Sequence, residues 1–173
     1  VVALWAAAPL LAYMLSRPVP ARRVVIGAED REFLHSIALK TWRYFETFMG
    51  LEDHGLPPDN VQMVPELTIA HRTSPTNIGM ALLATVAAHD FGFIGVDALI
   101  ERLDATLTTV EGLERFDGHV LNWYDTRTLA PLAPCYVSTV DSGNLAGALL
   151  TLSVALQRLS ASHRAEAGPR AVR

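Results

Sequence analysis

The chain has 173 residues, half of them hydrophobic and 18% charged, with a formal net charge of −4. That length suffices for one domain, and the acidic balance gives no basic field to attract nucleic acid. A single cysteine, Cys135, excludes an internal disulfide framework.

Val1 to Ser16 contain no charge, and Arg17 is the first ionisable side chain. No basic stretch precedes this apolar run and no small-residue cleavage site follows it, so it does not read as a signal peptide. Sixteen helical residues cover about 24 Å of an apolar slab about 30 Å thick. Residues 1–16 are therefore expected to be the C-terminal part of a transmembrane helix whose beginning lies upstream. Trp5 and Tyr13 suit a membrane interface, and by the positive-inside tendency Arg17, Arg22 and Arg23 put the rest of the chain on the cytoplasmic side. A buried core helix is the alternative, and Pro9 is compatible with both.

Residues 17–28, with Pro18 and Pro20, read as a juxtamembrane linker. An amphipathic helix is predicted from Glu29 to Met49, with Phe33, Ile37, Trp42, Phe45 and Phe48 approximating one face. Glu29, Asp30 and Glu32 suit its N-terminal end, and Gly50 stops it. A loop rich in Pro, Asp, Asn and Gly follows. Ser74-Pro75 supplies an N-cap and a first-turn proline for a helix to about Asp90. A short turn at Phe91–Gly95 leads to a helix from Val96 to about Leu113, then to a second long loop from Glu114 to Val140. Asp141 or Ser142 is expected to cap a last helix ending near Ser160. Residues 161–173 lack periodicity and are expected to be disordered, or the product of a truncated or shifted reading frame.

The helix start Asn77-Ile78-Gly79-Met80-Ala81-Leu82-Leu83 resembles Asn144-Leu145-Ala146-Gly147-Ala148-Leu149-Leu150, which lies 67 residues later. Self-similarity at that spacing, together with alternating short and long connections, points to stacked helical hairpins. The expected class is all-α, with residues 29–160 forming the N-terminal portion of an α/α toroid. About two hairpins are present, so a ring of this kind would be partial.

Four polar clusters fall in the connections: Asp53 to Asn60, His71 to Asn77, Asn122 to Arg127, and Ser138 to Asn144. Carbohydrate sites need such a mixture, with aromatic faces for the apolar side of a pyranose and carboxylates, amides and arginine for its hydroxyls. The same residues could instead pin long loops through caps and turns. The six histidines show no paired spacing, so no metal site is expected. Cys135 has no neighbouring base, and no glycine loop cradles a phosphate; no cofactor is expected. Glycoside chemistry needs two carboxylates at a fixed separation. Asp53, Asp59, Asp125 and Asp141 are candidates, and their spacing selects no pair.

Trp42-Arg43-Tyr44-Phe45-Glu46-Thr47-Phe48, Leu56-Pro57-Pro58-Asp59-Asn60, His71 to Gly79, Asn122 to Thr128 and Tyr136 to Gly147 together resemble cyclic β-1,2-glucan synthases over about residues 30–159. In that family a very large chain joins a membrane-embedded glycosyltransferase to a glucoamylase-like helical domain that closes a linear glucan into a ring by transglycosylation. The resemblance implies that this chain is a fragment at the junction of those two regions. It implies a glucan as ligand, and the membrane and the remainder of the parent polypeptide as neighbours. It places His71, Arg72, Asn77, Trp123, Tyr124, Asp125, Arg127, Asp141 and Asn144 in motifs facing the sugar cleft, with the catalytic carboxylates downstream of Arg173. The family typically reads Asp-Asn-Trp-Leu-Pro-Pro-Asp-Asn where this chain has Asp53-His54-Gly55-Leu56-Pro57-Pro58-Asp59-Asn60, a loss of one tryptophan. Two other functions remain open: a membrane-anchored helical scaffold without catalysis, and a small glycoside hydrolase or phosphorylase-like protein that would have to use Asp125 and Asp141.

Overall fold

The computed structural model describes residues 2–16 and 26–166. Most of the expected linker (17–25) and the end of the expected tail (167–173) lie outside the described residues. The chain divides into two compact units, Val1–Phe33 and Leu34–Arg173.

In the first unit, α1 spans Val2–Leu15 with Pro9 inside it. Among its described side chains Trp5, Leu10, Tyr13, Met14 and Leu15 are all exposed. The helix α2, Ala28–Phe48, begins there with Glu29 and Asp30 in its first turn. Asp30 Oδ2 accepts from Gly27 N at 3.1 Å and so caps a free helical donor.

In the second unit, the buried contact of α2 comes from its later half, while His35 nearer its start meets the rings of Phe91 and Phe93 edge-on. Trp42 is 4% exposed, whereas Ile37 on the expected apolar face is 43% exposed. A 3-10 turn at Leu51–Asp53 ends in two left-handed residues, His54 (φ 54°) and Gly55 (φ 69°). A Cβ on Gly55 would point at Ala105 and Thr106, 3.5 Å away, in a conformation that side-chain-bearing residues rarely adopt. Gly55 stands where the tryptophan was expected, and its left-handed backbone suits glycine.

The polar connections, expected as loops, contain three short antiparallel ladders. In chain order the strands are β1 (Val61–Gln62), β2 (Thr68–Ile69) and β3 (Arg72–Thr73), then α3 (Pro75–Asp90) and α4 (Val96–Gly112), then β4 (Arg115–Phe116), β5 (His119–Val120) and β6 (Tyr124–Asp125), and lastly α5 (Thr139–Glu166). β1 pairs with β2 and β4 with β5, while β3 pairs with β6 across about fifty residues of chain, setting Arg72 opposite Asp125. The strands are two residues each, and the fold is all-α, as expected.

Ser74 caps α3 as its sequence predicts: its Oγ accepts from Asn77 N at 3.3 Å, with Pro75 in the first turn. The start of α5 differs from expectation. Ser138 is the cap, its Oγ accepting from Asp141 N at 3.2 Å, so Asp141 lies inside the first turn. The other end differs too, since α5 continues past Ser160 to Glu166.

Helices α3 and α5 run parallel. Thr76 meets Asp141 and Asn144 at their starts, while Val86 and Asp90 line one cavity with Leu156 and Leu159 near their ends. The close approach occurs at Gly79, where a Cβ would sit 3.0 Å from Ala148 Cβ. The two similar segments noted in the sequence are thus the two halves of one helix–helix contact. Ile78, Leu82, Leu99, Leu103, Leu145 and Leu152 form the core between α3, α4 and α5, with Leu56 and Tyr124 inserted from the connections.

Candidate functional site

The β3–β6 ladder and the starts of α3 and α5 gather the polar clusters at one rim of the second unit. Arg72 Nε and one terminal nitrogen both donate to Asp59 Oδ2, at 3.1 and 2.8 Å. Its guanidinium carbon also lies 4.9 Å from the centre of the Trp123 ring. Arg72 is half exposed, so its ion pair contributes little to stability, roughly 0–1 kcal/mol. Its planar group instead fixes Trp123 against Asp59 by stacking and paired hydrogen bonds. Asn77 Nδ2 donates to the other Asp59 oxygen at 3.4 Å.

Asp141 forms a second node. Thr76 Oγ1 donates to its Oδ1 at 2.6 Å and Ser138 Oγ to its Oδ2 at 2.5 Å. With its amide nitrogen donating to Asp141 Oδ2 at 3.0 Å, Asn122 uses its oxygen to accept from Trp123 Nε1 and Tyr136 Oη, both at 2.8 Å. Asn144 Nδ2 donates to Thr76 Oγ1 at 2.9 Å. Burial pushes the Asp141 carboxyl upward, but hydrogen bonds from Ser138 and Thr76 outweigh it and hold the group below the usual aspartate value.

Asp125 sits opposite Arg72 in the ladder, and its Oδ1 accepts from Arg127 N (2.9 Å) and Thr128 N (2.8 Å) in a tight turn. The Thr128 amide is the largest influence on its carboxyl, which also lies below the usual value. A glycosidic general acid needs a raised pKa. Asp125 and Asp141 are both shifted the other way, which suits them to accept hydrogen bonds rather than to deliver protons.

A third group lies under the rim. His71 Nδ1 donates to Asp53 Oδ1 at 2.7 Å, and an Arg127 nitrogen donates to His71 Nε2 at 2.8 Å. Arginine only donates, so the His71 tautomer carries its proton on Nδ1. Thr126 Oγ1 donates to the same Asp53 oxygen at 2.5 Å, and the His54 ring bonds the Thr126 carbonyl at 2.9 Å. Asp53 is 7% exposed and acts here as a buried post that anchors this segment.

The residues expected at the cleft therefore divide. Arg72, Asn77, Trp123, Asp125, Asp141 and Asn144 lie at the rim, whereas His71 and Arg127 belong to the group around Asp53 beneath it. Tyr124 is a correction: it is fully buried, so its ring presents no face to a ligand. Its Oη donates to Glu114 O (2.6 Å) and accepts from Leu121 N (2.7 Å), and burial raises its pKa. Asn122, Thr76 and Ser138, which lie within the polar clusters, and Tyr136, which opens one of the family motifs, complete the network although none is among the expected cleft residues. The Ser138-x-x-Asp141 spacing, a capping-box pattern, was a signal that could have found Ser138. Among the described residues no group of three or more His, Cys, Asp or Glu could hold a metal ion.

In fold, the chain is similar to the crystal structure of a Bacteroides fragilis NCTC 9343 protein assigned as a glucoamylase, with a TM-score of 0.61 and 18% identity over 78% of this chain and 32% of that one. In sequence it is 46% identical over 151 residues to the cyclic β-(1,2)-glucan synthase NdvB of Rhizobium meliloti (strain 1021), as the resemblance read from its motifs anticipates. That alignment covers 87% of this chain, which spans 5% of the length of the synthase. Residues 36–159 match the model of DUF3131, described as a protein of unknown function, and the chain belongs to that family.

Proposed function

We propose that this chain supplies part of the glucan-binding cleft of a ring-closing, α/α-toroid domain in a membrane-bound cyclic β-1,2-glucan synthase. The observation that carries this reading is the convergence of Trp123, Arg72, Asp59, Asn77, Asp125 and Asp141 at one rim. Trp123, held on one side by Arg72, offers an aromatic face to a pyranose. The amides and carboxylates around it donate to and accept from hydroxyls. A neutral polyol meets that chemistry better than an anion does, because carboxylates line the rim. Catalytic carboxylates belong to another part of the parent polypeptide under this reading, and α1 is the end of a transmembrane helix that holds the domain on the cytoplasmic side.

Calorimetric titration of the full chain with linear β-1,2-glucan, in a polyoxyethylene detergent that carries no sugar headgroup, tests the reading. Saturable binding is expected, weakened about tenfold or more by Trp123→Ala with the melting profile retained. Absence of binding, or binding indifferent to Trp123→Ala, would overturn it.

A further inference from the structure

We infer that a second saccharide subsite lies beside the β4–β5 hairpin and continues the rim away from Trp123. This rests on the glucan reading above and deepens it. The cavity there has a volume of about 390 Å³ and carries Phe116 and Tyr136 on its lining, together with Glu114, Arg115, Asp117 and His119. That volume falls within the range of small-ligand pockets, roughly 300–1,000 Å³.

The hairpin is built to hold its shape. Asp117 (φ 49°) and Gly118 (φ 80°) form a two-residue turn with both central residues left-handed, the type that matches strand twist. Phe116 pairs with His119, which puts their side chains side by side on one face. The base of the hairpin is clamped by the buried Tyr124 hydroxyl, which bonds Glu114 O on the entering strand side and Leu121 N on the leaving side. A preordered hairpin avoids the entropic cost of arranging its side chains on binding.

Phe116 is nevertheless 68% exposed and Tyr136 46% exposed. Single exposed aromatics are ordinary. Here two of them line one cavity with donors and acceptors of both charges. An apolar partner would strip water from Glu114, Arg115 and Asp117 without replacing their hydrogen bonds. A sugar does replace them, since it offers an apolar face to the rings and hydroxyls to the charged groups.

Tyr136 connects this cavity to the rim. It lines the cavity, and its hydroxyl bonds Asn122, whose amide in turn bonds Trp123 and Asp141. A β-linked glucan seated on Trp123 would extend past Tyr136 toward Phe116.

Titration of the full chain in the same detergent with the β-1,2-linked glucose disaccharide and with the linear hexasaccharide separates the two sites. The hexasaccharide is expected to bind about tenfold more tightly than the disaccharide. Phe116→Leu should remove that advantage while leaving disaccharide affinity unchanged, and Phe116→Tyr should preserve it, because leucine keeps the apolar volume but not the flat face. A hexasaccharide affinity that Phe116→Leu leaves intact, alongside binding that Trp123→Ala abolishes, would overturn the second subsite and spare the rim. Failure of the unsubstituted chain to bind either sugar would overturn both.

Discussion

Asp141 shows how one side chain can serve two purposes. Its carboxylate lies in the first turn of α5, where the helix dipole favours negative charge. It also receives hydroxyls from Thr76 and Ser138, joining the starts of two helices. Because its pKa is lower folded than unfolded, it stabilises the fold above the ordinary aspartate range, about pH 4. That contribution is lost as pH falls through the folded value. Denaturant unfolding of Asp141→Asn should show a loss of about 1–3 kcal/mol at pH 7 and a shallower decline on acidification than the unsubstituted chain. An unchanged acid limb would show that Asp141 is not a source of the pH dependence.

Among the elements, the α3–α5 pair is held by a contrast between two glycines. Gly79 on α3 faces Ala148 at van der Waals limit, while Gly147 on α5 has nothing within 4 Å of where a Cβ would be. Gly79→Val should overpack this contact and cost about 1–3 kcal/mol, because α5 would have to move away together with Leu145 and Leu152. Gly147→Ala should instead stabilise by up to about 1 kcal/mol through helix propensity alone. Thermal melts of the two variants check the contrast, and equal shifts would contradict the packing. The helices themselves were legible in the sequence, since Ser74-Pro75 marks the start of α3 and Gly50 the end of α2. The start of α5 lies earlier than its sequence suggests, because Asp141 and Ser142 are as good at capping as Ser138. The choice rests on the bond from Ser138 to Asp141 and on Thr76 across the interface.

At the scale of the whole molecule, burial is incomplete. On α5, Leu145, Ala148 and Leu152 face the core, but Val140 (70% exposed), Leu150 (72%) and Val154 (48%) do not. The stretch Thr139–Ser162 is long and apolar enough to cross a membrane by length and composition, though one face of it packs on α3. With Trp5, Leu10, Tyr13, Met14 and Leu15 of α1 also exposed, apolar patches of this extent favour association. Sedimentation of the chain in buffer without detergent should show concentration-dependent self-association, reduced by Leu150→Gln together with Val154→Gln. A monodisperse monomer at all concentrations would count against it.

The order of helices, their polar connections and the kinship with glucan synthases follow from the sequence, because periodicity, caps and motifs are local and survive without knowledge of the fold. Which polar residues meet was decided only in three dimensions. Nothing local tells Arg72 that its strand will pair with Asp125, or that Tyr124 will turn inward to clamp a hairpin while Trp123 stays half-buried against Arg72. Strand alternation sends neighbouring side chains to opposite sides, and only the register of a distant partner fixes which side is the core.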